Sequence, residues 1–299
     1  PAQPAGLTRL RAPSYQAVWR CDPTQWVGWA LRLFCPGFCG LVGVYIAWYA
    51  LILLAESVAF LRHPTPMTTA PLLRDLQDGV LTLTLHRPDK LNAIDNALGA
   101  ALLDGVHQAA ADPAVRVLCV RGSGRAFCAG RDVGAPPTDT DLVLVQAVSK
   151  ALVGLTKPVV FAVHGWTVGA GLEWMLNADL VIAADSSRFK LPEASLGVFV
   201  TGGLSATLTV YAGLARAKAL TLLGEEFSAA QAQAWGLIWQ VVPEAGLAAA
   251  TQAACERLAG LRPEVARQFK RVFNEVGLAG FEHAIRLETQ AQRSLAAGG

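Results

Sequence analysis

The chain has 299 residues, 53% apolar and 16% charged, with a positive mean hydropathy. That balance excludes a disordered or low-complexity protein, and the length suffices to bury a core without disulfide or metal staples. The formal charge of +2 comes without a basic run or a Lys/Arg stripe, which argues against nucleic acid as a partner, because neutralising phosphates requires clustered cations.

Composition changes near residue 66. Residues 1–66 carry five Arg, no Lys, two acids, four of the eight Trp and three of the six Cys. Within them, 34–55 is a run of 22 residues without a charge, flanked by Arg32 and Arg62 and long enough to cross a hydrocarbon core of about 30 Å. A membrane anchor, a buried hairpin and upstream sequence outside the functional protein are three readings of it; a cleaved signal fits poorly because the run starts late. The first Met is Met67 and every motif below follows it, so a chain starting there is expected to be more soluble and equally active. Membrane contact is expected only through 34–55, and a cytoplasmic location otherwise. Cys35 and Cys39 lack the second pair of a metal site. Cys119, Cys128 and Cys255 are scattered, which suits a reducing compartment.

From Val80 the pattern is regular. Residues 80–85 alternate with period two between Asp78-Gly79 and Arg87-Pro88, which predicts a half-buried strand. Helical spacing of Leu98, Leu102, Val106 and Ala109 predicts a helix over 95–110, closed by Asp112-Pro113. Strands follow at 115–120, 159–163 and 180–183, alternating with helices at 142–155 and 169–177. This is an α/β order. After Gly202 the chain turns helical, with candidates at 203–212, 216–223, 228–235, 245–260, 263–276 and 280–295 and one strand at 238–242.

Two glycine-rich turns follow predicted strands: Gly122-Ser-Gly-Arg-Ala-Phe-Cys-Ala-Gly-Arg-Asp132 and His164-Gly-Trp-Thr-Val-Gly-Ala-Gly-Leu-Glu173. Glycines let backbone approach a ligand closely and present amides outward, and the second turn opens a helix whose first N–H groups lack intrahelical partners. Neither continues into the Gly-Lys-Ser/Thr of a phosphate loop. Glu173 interrupts an apolar helix between Leu172 and Trp174, and Glu193 follows Leu191-Pro192. An isolated Glu reads as a surface residue or cap; two acids, each beside a glycine turn, point to paired acid/base chemistry.

On these residues the chain resembles the crotonase, or enoyl-CoA hydratase/isomerase, superfamily. The resemblance covers about 67–299: Arg87-Pro-Asp-Lys-Leu-Asn-Ala93, Arg125-Ala-Phe-Cys-Ala-Gly-Arg-Asp132, Lys157-Pro158, Gly165 to Glu173, Asp179 and Pro192-Glu193, in order. It implies an α/β spiral of ββα units over 67–244 and a C-terminal helical trimerisation module over 245–299, truncated at its end, preceded by the apolar leader 1–66. It implies an acyl-CoA thioester substrate, no separate cofactor and no metal, and a homotrimer or hexamer. Carried over residue by residue, the Arg131 and Ala170 amides form an oxyanion hole, and Glu173 and Glu193 are the two acids of the hydratases. Lys90, Ala93, Ala129, Arg131, Asp132, Val133, Gly134 and Gly169 lie along the CoA path, and Trp166, Phe199, Thr201 and Gly202 line the acyl pocket. Phe199-Val-Thr-Gly-Gly-Leu-Ser205 departs from the family's usual Pro-Gly-Ala-Gly-Gly-Thr, which implies a reshaped acyl pocket. The expected reaction is syn hydration of a 2-enoyl-CoA. A Δ3,Δ2-enoyl-CoA isomerase using one Glu is the alternative within the family, and a non-catalytic CoA-thioester binder the alternative outside enzymology.

Overall fold

A computed structural model describes residues 70–134 and 138–298; the leader, including 34–55, lies outside the described residues. Strands β1 (Leu72–Gln77) and β2 (Val80–Leu85) form an antiparallel hairpin in which Gln77 faces Val80. Asp78 and Gly79, at φ 48° and 81°, supply the two left-handed positions of a two-residue turn. Helix α1 (Asn96–Ala111) starts at Asp95, whose side chain accepts from the Leu98 N–H at 2.8 Å, and its Leu98, Leu102, Val106 and Ala109 face the core.

There follow β3 (Val117–Gly122), α2 (Asp139–Gly154), β4 (Val159–Val163), β5 (Trp166–Val168), α3 (Ala170–Met175), β6 (Leu180–Ala184), β7 (Arg188–Lys190) and a 3-10 turn, Glu193–Leu196. The C-terminal part holds α4 (Leu204–Ala212), α5 (Leu214–Leu223), β8 (Phe227–Ser228), α6 (Ala229–Ala234), β9 (Gln240–Val242), α7 (Leu247–Ala259), α8 (Pro263–Gly277) and α9 (Phe281–Gly298). The large sheet runs β1-β2-β3-β4-β6-β9 and is parallel beyond the first hairpin; a small sheet runs β5-β7-β8. After β4 the chain enters the small sheet at β5, returns through α3 to β6, and re-enters at β7, which is how the spiral is generated.

The central parallel strands β3, β4 and β6 are buried on both faces, as strands inside a parallel sheet must be. Leu118, Val120, Phe161, Val163 and Ala183 face the main core, while Val117, Cys119, Val160 and Ile182 face a second layer covered by α7 through Leu247, Ala250, Ala254 and Leu258. Cys119 and Cys255, far apart in sequence, meet in that layer as buried thiols. Asp179 accepts from the Val159 N–H at 2.7 Å and pairs with Lys270 of α8 at 2.8 Å. Lys157 donates to the Ala109 and Asp112 carbonyls at 2.5 and 2.6 Å. Both motif positions therefore tie elements together.

Three differences from expectation have local causes. Strand β3 starts two residues later than expected, because its ladder with β2 runs from Val80↔Val117 to Leu85↔Gly122. Helix α2 starts at 139 rather than 142, because Thr138 and Asp141 form a reciprocal capping box. Strands β5, β7 and β8, of three, three and two residues, were not expected; so few residues carry no readable period. Among the described residues no helix is long and apolar enough to cross a membrane.

Candidate active site

The two glycine turns are laced together by backbone. Asn92, fully buried at φ 54°, donates from Nδ2 to the Ser123 and Ala126 carbonyls at 2.8 Å each, while its Oδ1 accepts from the Arg87 N–H at 2.9 Å. This fixes the start of the first turn and explains why an Asn, tolerant of left-handed backbone, stands in the Arg87 to Ala93 segment. Ile94 then brackets Arg131: its N–H donates to the Gly130 carbonyl and its carbonyl accepts from the Asp132 N–H, both at 2.8 Å. Cys128 bonds likewise to Trp166 and Val168 of β5, at 3.1 and 2.9 Å.

Where these turns touch, glycine is required. A Cβ on Gly130 (φ 85°) would lie 2.9 Å from the Val168 carbonyl oxygen, and one on Gly169 (φ 51°) would lie 2.7 Å from Glu193 Oε1. The backbones of 130–131 and 169–170 thus sit side by side with the Glu193 carboxylate against them. Ala170 is the first residue of α3, where an N–H has no acceptor four residues back.

Glu173, on the first turn of α3, is 2% exposed. Its Oε2 accepts from the Thr201 N–H at 2.9 Å and from the Gly202 N–H, and a Cβ on Gly202 would strike the same oxygen at 2.8 Å. Burial raises its proton affinity well above the ordinary carboxylate value, with Glu193 and Glu288 adding like-charge repulsion; the two amides oppose the shift. Glu193 is half-buried on the 3-10 turn, and burial pushes it up to about 7. Its Oε2 is buried without a hydrogen-bond partner among the described residues. Two adjacent carboxylates of this kind hold one proton between them near neutrality. The two amides favour the anion of Glu173, while the Glu193 oxygen has no donor to favour its anion.

Both acids open into a cavity of about 200 Å³. Of the residues expected at the site, Ala129, Arg131, Val133, Gly169, Ala170, Glu173, Glu193, Phe199 and Thr201 line it. Gly202 stands behind Glu173 as an amide donor. Lys90 lies on a 3-10 turn and Ala93 accepts from Arg87, both away from the cavity wall. Asp132 pairs with Arg87 at 3.1 Å and caps the Gly134 N–H at 3.2 Å, which turns it and Gly134 from the cavity. Trp166 opens β5, 38% exposed and outside this lining, because the length of the strand separates it from the Gly169 turn. Sequence reading missed Leu142 and Val145 of α2, Leu196 and Val198, and Gln292, Arg293 and Ala296 of α9, all of which line the cavity. Among the described residues no group of three or more His, Cys, Asp or Glu is placed to hold a metal ion.

A family profile described as "Enoyl-CoA hydratase/isomerase" matches residues 75–297. The chain belongs to that family, the crotonase superfamily. It is 36% identical over 232 residues to a 1,2-epoxyphenylacetyl-CoA isomerase of Escherichia coli, covering 74% of this chain and 88% of the relative. It is 35% identical over 210 residues to a 2,3-dehydroadipyl-CoA hydratase of the same organism, covering 68% and 82%. The crystal structure of an enoyl-CoA hydratase from Mycobacterium avium subsp. paratuberculosis matches with a TM-score of 0.73 at 31% identity, covering 76% of this chain and 91% of that one. The crotonase fold, with its spiral core and C-terminal helices, is therefore the fold of this protein.

Proposed function

We propose that the protein is an enoyl-CoA hydratase, adding water syn across the 2,3 double bond of a 2-enoyl-CoA thioester. The observation that carries this reading is the pair of acids, Glu173 and Glu193, opening into one cavity beside two touching glycine turns. In the reaction, the Arg131 and Ala170 amides receive the thioester oxygen as negative charge builds on it, each donor contributing roughly 3 kcal/mol by analogy with acyl-transfer sites. Glu173, as carboxylate, takes a proton from water as its oxygen bonds to C3. Glu193, as acid, gives a proton to C2 on the same face, and exchange within the pair restores the starting state. The acids balance the water's two hydrogens without a cofactor, coenzyme A being part of the substrate. Purified protein mixed with crotonyl-CoA should bleach the ultraviolet absorbance of the conjugated thioester; no bleaching at high enzyme concentration defeats the reading.

The family description, which pairs hydratase with isomerase, supports a second reading, Δ3,Δ2-enoyl-CoA isomerisation, in which one acid shuttles a proton between C2 and C4. Formation of conjugated absorbance from 3-enoyl-CoA, with no loss from crotonyl-CoA, would select it.

Assembly belongs to the same proposal. Phe269, Phe273 and Val276 of α8 are 64%, 70% and 79% exposed in the single chain, with Val265 and Val272 beside them. A helix face this apolar requires cover, and copies of the chain in a trimer or hexamer supply it.

A further inference from the structure

Helix α9 carries a carboxylate at a core position. Glu288 is 1% exposed, in the buried stripe with Phe281, Ala284 and Ile285. Its Oε2 accepts from the Gly203 N–H at 2.8 Å, and its Oε1 from the Ser205 N–H at 2.8 Å and the Ser205 hydroxyl at 2.6 Å. Acceptance at both oxygens is the pattern of an ionised carboxylate, and these donors oppose the burial that raises its proton affinity.

The same stretch of backbone is gripped from its other side. The Thr201 and Gly202 amides point at Glu173 and the Gly203 and Ser205 amides at Glu288. A second residue of α9, Gln292, accepts from the Phe199 N–H at 2.7 Å. Gly203, at φ 81°, leaves room for the Phe281 ring, whose edge would lie 2.2 Å from a Cβ there. The turn that orients the Glu173 carboxylate is therefore held from α9 by three hydrogen bonds to Glu288, while Asn177 Nδ2 donates to its Gly202 carbonyl at 3.1 Å.

We infer that Glu288 is a positioning residue for Glu173, clamping the 201–205 turn from α9 so that the Thr201 and Gly202 amides fix one oxygen of the Glu173 carboxylate. This rests on the reading of Glu173 as the base. A second consequence is electrostatic: the Glu288 charge faces Glu173 through the turn and adds to the repulsion from Glu193. The other charged groups of the cavity are paired among themselves, Arg131 with Asp141 at 3.4 Å and Arg293 with Asp139 at 3.6 Å.

The test uses the full chain, with turnover and KM measured side by side for the wild type and Glu288→Gln. Turnover should fall about tenfold or more with KM little changed, as expected when a transition-state group is misaligned. Should Glu288→Gln not fold, Ser205→Ala removes one donor and should lower turnover about threefold, again at constant KM. A folded Glu288→Gln with wild-type turnover overturns the proposal, whatever happens to its melting temperature. So does a Ser205→Ala variant with wild-type turnover when Glu288→Gln is lost. A fully active Glu173→Gln would defeat the role of Glu173 as base, whereas an inactive Glu173→Gln beside a fully active Glu288→Gln would defeat the positioning role alone.

Discussion

Glu173→Gln separates chemistry from architecture at this site. The amide keeps the volume of the carboxylate and keeps one oxygen for the Thr201 and Gly202 N–H groups, so the 201–205 turn retains its partners. What it loses is the capacity to take a proton from water. Positioned general bases contribute about 10²–10⁴ in rate, and the glycine turns and Glu193 remain in the variant, so turnover should fall at least about a hundredfold, equivalent to about 2.7 kcal/mol of barrier. Stability should move the other way. The proton affinity of Glu173 is raised in the folded state, so its contribution to stability is complete below the ordinary carboxylate pKa and is lost as pH rises through the folded value. The neutral Gln has no such loss, and the variant should melt higher than the wild type in mildly alkaline buffer. Initial rates come from bleaching of crotonyl-CoA, binding from calorimetry with butyryl-CoA, and stability from thermal melts across pH. A variant within tenfold of wild-type turnover refutes the base assignment; one that loses turnover, binding and melting temperature together refutes the claim that the turn keeps its structure.

Glu193, pushed up to about 7 from an ordinary 4.5, should make wild-type stability decline between roughly pH 4.5 and 7 by about 3 kcal/mol at most; Glu193→Gln should flatten that part of the curve, and an unchanged slope would place the proton elsewhere. Ala170→Pro removes an N–H at the start of α3 while a proline still suits that position, so activity should vanish in a folded protein while Ala170→Gly stays active; equal rates in the two variants would mean this amide is not a donor. Phe273→Asp puts a charge on the apolar face of α8, and sedimentation should show dissociation toward single chains; an unchanged sedimentation coefficient would mean this face is not the interface.

What could be read from the sequence was what local chemistry decides. The alternation of residues 80–85 and the helical spacing from Leu98 to Ala109 predicted β2 and α1 within a residue or so, because one face of each is buried. The glycine turns were legible because positive φ and close backbone approach admit few other residues. Glu173 stood out because a charge in an otherwise apolar helix needs a reason. Boundaries set by side-chain caps, such as Thr138 with Asp141, were missed although both residues were in view, since the apolar period starts only at Leu142.

The rest of the site was illegible because it is assembled by tertiary contact. Leu142 and Val145 reach the cavity only because α2 packs against α1 and α3, and Gln292, Arg293 and Ala296 only because α9 folds back over the 199–205 turn. Cys119 and Cys255 show the same limit: they read as scattered thiols, yet an outward-facing position of β3 and a buried position of α7 bring them into contact. One signal for α9 was nevertheless present. Phe281, Ala284, Ile285 and Glu288 share a face at spacings of three and four, and the last of them is an acid where the pattern calls for an apolar residue. By the argument that singled out Glu173, a carboxylate at a core register must find donors, and the donors that satisfy Glu288 are the amides of the turn that also holds Glu173.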